Sequence, residues 1–287
     1  MVELTDHTQL MNIMIGLSLN IPRWDHSFRD IKYNVETIEP KIPEANPDII
    51  FTNKKVNHSI IMDCKSRTLE EKQIEKYVNL RNNPNILIQH GVVSVPHHEH
   101  FRADPTISSY HDLSSIPLIV DNKIPFLHVI RANNRIIKIE KKCAEFQNKE
   151  IDKIFPIDTS SGEPPYSLYP FDDNDTEIFT IQILRQLIKY GTGGEKIFTE
   201  DELLGEVHPY WSIIHDKKKF KSKAITLLLA LLQNGKKTGI NRYLSKESKG
   251  WKVKVAPDVK SIRAFQNICI KLIQTIDYDT LQETFTE

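Results

Sequence analysis

Two short apolar runs, Ile49-Ile50-Phe51 and Ile60-Ile61-Met62, flank a polar segment within residues 47–65, PDIIFTNKKVNHSIIMDCK. Runs of this length either side of a polar break predict two strands joined by a hairpin. With the turn centred between Lys55 and Val56, antiparallel pairing sets Phe51 against Ile60 and Asp48 against Asp63. Upstream, residues 5–20 carry Leu10, Ile13, Met14 and Leu17 at helical spacing behind a Thr5 N-cap. Residues 31–39 read as a first strand, with Ile31, Tyr33, Val35 and Thr37 on one side and Lys32 and Glu36 on the other. Downstream, a helix is predicted from about Leu69 to Leu80, Asn83-Pro84 breaks the chain, and NILIQHGVVSV (85–95) reads as a buried strand. Residues 116–140 contain IPLIV and a hairpin about Asn133-Asn134, read as strands that extend the sheet or cover its edge.

A proline- and aspartate-rich stretch without Lys or Arg, residues 156–176, reads as a linker. The periodicity beyond it is helical over 177–190, 199–207 and 217–233, the second opening with a capping box of Thr199 and Glu202. INRYLSKESKGWKVKV then gives two strands around a Lys-rich tip, and a last helix is predicted over about 258–276. The expected domains are residues 1–155 and 177–287, joined by 156–176.

At 287 residues the chain suits two domains. No apolar run approaches 18 residues, so no membrane span is expected. The N-terminus shows no secretory pattern, and three widely spaced cysteines, Cys64, Cys143 and Cys269, suggest a reducing, cytoplasmic setting. A formal net charge of zero conceals an asymmetry: Asp216–Arg263 carries fourteen Lys or Arg against three Asp or Glu, a net +11, which leaves −11 on the rest. An acidic part joined to a basic part is a different electrostatic object from a uniformly neutral chain. The run Pro96-His97-His98-Glu99-His100 lacks the helical i, i+4 spacing of a zinc site and reads as a solvated or DNA-facing loop.

Opposed residues of an antiparallel pair have Cβ atoms roughly 4.5–5.5 Å apart. Two carboxylates at that separation repel unless a cation or proton lies between them. Lys65, two residues past Asp63, shares its face. Two carboxylates and a lysine so placed can hold a hard divalent cation and orient a water toward a phosphodiester.

Pro47-Asp48 and Asp63-Cys64-Lys65, on a hairpin followed by an amphipathic helix, resemble the PD-(D/E)xK nuclease superfamily of restriction endonucleases, Holliday-junction resolvases and RecB-like exonucleases. The three-residue pattern also begins at Asp30, Glu70 and Asp216, among other places, so context singles out Asp63. Gln73 and Tyr77, at i and i+4 on one helix face, are similar to the QxxxY element of the RecB-like branch. The resemblance covers roughly residues 1–95 and implies an α/β fold with a restriction endonuclease-like αβββαβ core. It further implies catalysis by Asp48, Asp63 and Lys65. Mg²⁺, for which Mn²⁺ can substitute, would be held by Asp48, Asp63 and the Cys64 carbonyl, with Gln73 and Tyr77 positioning the strand. Glu3 and Asp6 are the nearest candidates for a further acidic residue from the preceding helix.

Three helices and a basic hairpin after the linker resemble a winged-helix domain, whose third helix enters the major groove. Lys217, Lys218, Lys219, Lys221 and Lys223 open that helix here, and Lys246, Lys249, Lys252 and Lys254 lie on or beside the wing. Such lysines would contact phosphates and give affinity more than sequence preference. The expectation is a metal-dependent DNA endonuclease of restriction, phage-defence or transposon-end type. It would work as a homodimer or with a partner nuclease, recombination or defence protein. A non-catalytic DNA-binding regulator retaining the fold and an RNA-directed nuclease are the alternatives.

Overall fold

The computed structural model describes residues 5–19, 21, 24–65, 68–132, 135–159 and 176–286. It divides into two compact units, one of Asp6–Leu168 with Ile213–His215, the other of Met1–Thr5, Tyr169–Ser212 and Asp216–Glu287.

In the first unit the described elements run α1 (Asp6–Gly16), β1 (Asn34–Ile38), β2 (Ile49–Asn53), β3 (His58–Lys65), α2 (Glu71–Asn82), α3 (Asn85–Gln89) and β4 (Arg102–Ser109). They continue with α4 (Pro117–Asp121), β5 (Pro125–Ala132), β6 (Arg135–Cys143), α5 (Lys149–Lys153) and β7 (Ile157–Asp158). The seven strands form one sheet in chain order. β3, β4 and β5 are mutually parallel, and the remaining neighbours are antiparallel. The β2–β3 register is the one the apolar pattern dictates: Phe51 pairs with Ile60 and Ile49 with Met62 across a turn at residues 54–57. Helix α2 lies over one face and contributes to two apolar clusters. Tyr77 and Leu80 pack with Ile50 and Ile61, whereas Ile74 packs with Ile107 and Phe126.

Several sequence expectations are corrected. Residues 85–95 hold the one-turn helix α3 and no strand; only Leu87 of NILIQ is buried, on the Ile50–Ile61 cluster. A short continuous apolar run is compatible with either element, and here Pro84 at the N-cap decides for the helix. The strand that follows α2 in the sheet is β4, concealed in the sequence by Asp104 and Pro105, since proline normally argues against a central strand. Pro105 is tolerated because it pairs with Ile61 of β3 at a point where β5 has not yet joined; β4–β5 pairing starts at Ile107. The IPLIV run is also helical, as α4, with Pro117 at its first turn. β1 begins at Asn34, after Lys32 in a left-handed conformation (φ 66°), and a bulge between Val35 and Thr37 breaks its alternation. β7 occupies residues 157–158, inside the segment read as linker, and pairs with β6. The expected Asn133-Asn134 turn lies outside the described residues.

The second unit runs α6 (Thr176–Thr192), β8 (Glu195–Phe198), α7 (Glu200–Val207), α8 (Lys217–Gln233), α9 (Gly235–Thr238), β9 (Leu244–Glu247), β10 (Gly250–Lys254) and α10 (Val259–Thr286). The capping box of Thr199 and Glu202 is formed, and α8 has the span the sequence predicts. β8, which the sequence reading does not contain, completes a three-stranded sheet in the order β8-β10-β9. α8 buries Phe220, Ala224, Leu228 and Leu231, one stripe at helical spacing. Gly250 has φ 141°, and a Cβ there would lie 2.4 Å from the Phe198 carbonyl oxygen, so the β9–β10 tip requires glycine.

Candidate functional site

The hairpin register carries Asp48, at the entry to β2, to the end of β3 that bears Asp63. The Asp48 amide donates to the Met62 carbonyl (3.0 Å), and its carboxylate Oδ2 accepts the Cys64 amide at 2.6 Å. Asp63 is almost fully enclosed, with 2% exposure. Its Oδ2 receives Lys65 Nζ at 3.1 Å and Gln73 Nε2 at 3.0 Å. Burial, and next the Asp48 carboxylate, push the Asp63 pKa up to about 7 despite the opposing pull of Lys65. Desolvation and like charge outweigh the single ammonium, so near neutral pH this carboxyl takes a proton or needs another cation.

Gln73 also donates to the Tyr77 hydroxyl (3.2 Å), which in turn donates to the Asn46 carbonyl (3.4 Å). The i, i+4 pair on α2 thereby ties the helix both to Asp63 and to the strand entry beside Asp48. Burial raises the Tyr77 pKa well above the ordinary tyrosine value and keeps the phenol neutral. The Cys64 thiol is fully buried and pushed far up by desolvation, so its side chain is not a thiolate ligand; its main chain faces the site.

The structure therefore brings together Asp48, Asp63, the Cys64 main chain, Lys65, Gln73 and Tyr77. Of the two acidic candidates before β1, Glu3 lies outside the described residues. Asp6 is held by Arg131 at 2.9 Å, and Arg131 itself lies over the Tyr110 ring. The α1 residue that reaches the site is His7, with Nε2 3.4 Å from Asp48 Oδ1. The sequence reading missed it; its signal is a polar residue at the first turn of a helix whose following positions are buried. Among the described residues no group of three or more His, Cys, Asp or Glu side chains is arranged to hold a metal. A cation at this position would combine the two carboxylates with main-chain oxygen, water or phosphate, a set that suits Mg²⁺.

In the second unit the lysines expected on the third helix and the hairpin divide into three groups. Lys221 pairs with Asp201 (2.5 Å), and Lys252 with Glu195 (2.6 Å). Lys217, Lys219, Lys223 and Lys246 lie 5.2–5.8 Å from the ring centroids of Trp211, Phe220, Phe179 and Trp251. Lys218 and Lys249 are exposed.

Residues 6–169 match the family described as the MJECL32 domain. The chain belongs to that family. Residues 172–286 match a domain of unknown function, DUF8601, so the two matches follow the two compact units. Over 211 residues the chain is 29% identical to an uncharacterized protein, MJECL32, of Methanocaldococcus jannaschii; the alignment covers 66% of this chain and 47% of that protein. The chain thus spans about half the length of this curated relative. No solved structure matches it. Among the described residues of this MJECL32-domain chain, no helix is long and apolar enough to cross a membrane.

Proposed function

We propose that the chain is a metal-dependent endonuclease that hydrolyses DNA phosphodiester bonds, with a PD-(D/E)xK core in the first unit and a winged-helix-like DNA-binding module in the second. The carrying observation is a buried carboxyl, Asp63, that interacts with the Asp48 carboxylate while Lys65 and Gln73 share its Oδ2. The order α1, β1–β2–β3 meander, α2, β4 supports the αβββαβ reading. In the second unit, three helices with a strand between the first two, followed by a hairpin, support the winged-helix reading.

Asp48, Asp63 and the Cys64 carbonyl would hold Mg²⁺ or Mn²⁺, which supplies Lewis acidity and lowers the pKa of bound water. Lys65 orients the attacking water and stabilises charge developing on the phosphate. Gln73 fixes the Asp63 carboxylate and, through Tyr77, the backbone at Asn46. Lysines of the second unit supply phosphate contacts. Cleaving both strands takes two such sites, hence a homodimer or a partner nuclease.

Cleavage of supercoiled plasmid with Mg²⁺, Mn²⁺ or EDTA tests the reading, comparing wild type with Asp63→Asn and Lys65→Ala. Metal-dependent nicking or linearisation, lost in both variants, is expected. Metal-independent DNA binding by a folded wild type that never cuts would mark a non-catalytic DNA-binding regulator instead.

A further inference from the structure

Residues 213–215, in the connection between α7 and α8, belong to the first unit although the rest of that unit ends before α6. They lie along β1, an edge strand of the seven-stranded sheet. Ile38, the last residue of β1, donates its amide to the Ile213 carbonyl at 3.0 Å, and its own carbonyl accepts the His215 amide at 3.1 Å. Ile214 between them is the parallel bridge partner of Ile38 and is buried. His215 Nδ1 also accepts the Lys41 amide at 3.4 Å. The outward amide and carbonyl of an edge strand otherwise face water. Here a short strap from a distant part of the sequence satisfies both at Ile38.

The same strand end holds Asp48. Glu39, directly after Ile38, is left-handed (φ 47°) and donates its amide to the Asp48 carbonyl at 2.8 Å. The Asp48 amide donates to Met62, so the Asp48 main chain is held from β3 on one side and from the end of β1 on the other. A left-handed glutamate is strained and persists only where its surroundings over-determine it. Two contacts do so here: the strap fixes Ile38 immediately before it, and the Asp48 carbonyl holds Glu39 itself. Without the strap, Ile38 keeps only its pairing with Ile49 of β2, and Glu39 can relax away from Asp48.

We propose that residues 213–215 are a positioning strap for the candidate site. Docked on β1, the strap fixes Glu39, and Glu39 fixes the backbone from which the Asp48 carboxylate reaches the Cys64 amide. This rests on the nuclease reading of Asp48. The strap touches no substrate and takes no part in bond breaking. Since it comes from the chain beyond the linker, residues 6–168 do not complete the site by themselves.

The test is amide hydrogen exchange of the full chain, read residue by residue, alongside plasmid cleavage over a range of Mg²⁺ concentrations. His215→Pro removes the amide that binds Ile38, whereas Ile214→Ala keeps every backbone group and removes the buried anchor. In both variants the Glu39 amide should exchange about tenfold faster, the worth of one backbone hydrogen bond, while the amides of β4 stay protected. The Mg²⁺ concentration for half-maximal nicking should rise by a similar factor, with the full rate recovered at high Mg²⁺. A Glu39 amide as protected in both variants as in wild type would overturn the proposal. So would faster exchange there with an unaltered Mg²⁺ requirement, or loss of protection across the whole sheet in both variants. If wild type never cuts but Glu39 still loosens, the nuclease reading falls and the hold of the strap on Asp48 stands.

Discussion

The Gln73 amide nitrogen donates to Asp63 Oδ2 at 3.0 Å and also lies 3.2 Å from the Tyr77 hydroxyl, so one side-chain amide joins helix α2 to the end of strand β3. An unanchored Asp63 would be free to turn toward Lys65 alone. Gln73→Leu should lower the single-turnover cleavage rate about tenfold, because Asp63 Oδ2 loses one of its two donors, a hydrogen bond to a charged group worth roughly 1.5–3 kcal/mol. Tyr77→Phe should do less harm, since it removes only the brace. Single-turnover cleavage alongside thermal melts separates the two effects.

Asp63→Asn should abolish cleavage and leave DNA affinity largely intact, as the lysines of the second unit remain. It should also change stability in a pH-dependent way when no divalent metal is present. The folded-state pKa of Asp63, about 7, exceeds the ordinary 3.8, so the folded chain binds this proton more tightly than the unfolded one. The favourable contribution is complete below about pH 3.8 and is lost as pH rises through about 7. Asn resembles the protonated carboxyl and does not titrate. The variant should therefore melt above wild type at pH 8, with the gap closing toward pH 5. A gap independent of pH would refute the raised pKa.

His208 is enclosed in the second unit beside the Phe220 and Tyr210 rings, and burial holds its pKa down at about 4 against the usual 6.5. Its contribution to stability is present above pH 6.5 and is lost as pH falls through about 4. At 1.36 kcal/mol per pKa unit the loss amounts to roughly 3 kcal/mol. His208→Leu should flatten the melting temperature of the chain between pH 6.5 and 4.

Lys218→Ala and Lys249→Ala should each weaken DNA binding across all sequences and reduce the slope of log K against log salt by about 1. Lys221→Ala and Lys252→Ala should change that slope less, because Asp201 and Glu195 already engage those ammonium groups. Binding titrations over a range of salt concentrations read the difference.

The site was legible where a local rule fixes it. The Asp48–Asp63 juxtaposition follows from counting across one hairpin, and the Gln73–Tyr77 pair from helical spacing. What escaped depends on non-local pairing. β4 brings Ser109 beside Lys65, but its Asp104 and Pro105 disguise it, and the apolar stretch 85–95 took its place in the reading. His7 escaped because nothing in α1 alone says which strand end the helix will meet. In the second unit α6, α7, α8 and α10 were legible from their caps and stripes, while the four-residue α9 was not. β8 was not, since the four residues Glu-Lys-Ile-Phe, of which only Phe198 is buried, acquire strand geometry only by pairing with β10.

The turn at residues 54–57 sets the count by which Phe51 meets Ile60 and Ile49 meets Met62, and so decides which end of β3 reaches Asp48. One residue added to or removed from β3 would present Asp63 to the opposite face, because side chains alternate along a strand. The turn therefore works as a ruler whose length is fixed, and at its end the left-handed Asn57 (φ 48°) is held in place by accepting the His97 amide on its side chain. Within the family, insertions should collect in the connections on either side of this hairpin, and the distance from the first carboxylate to the second should hold wherever the site is kept.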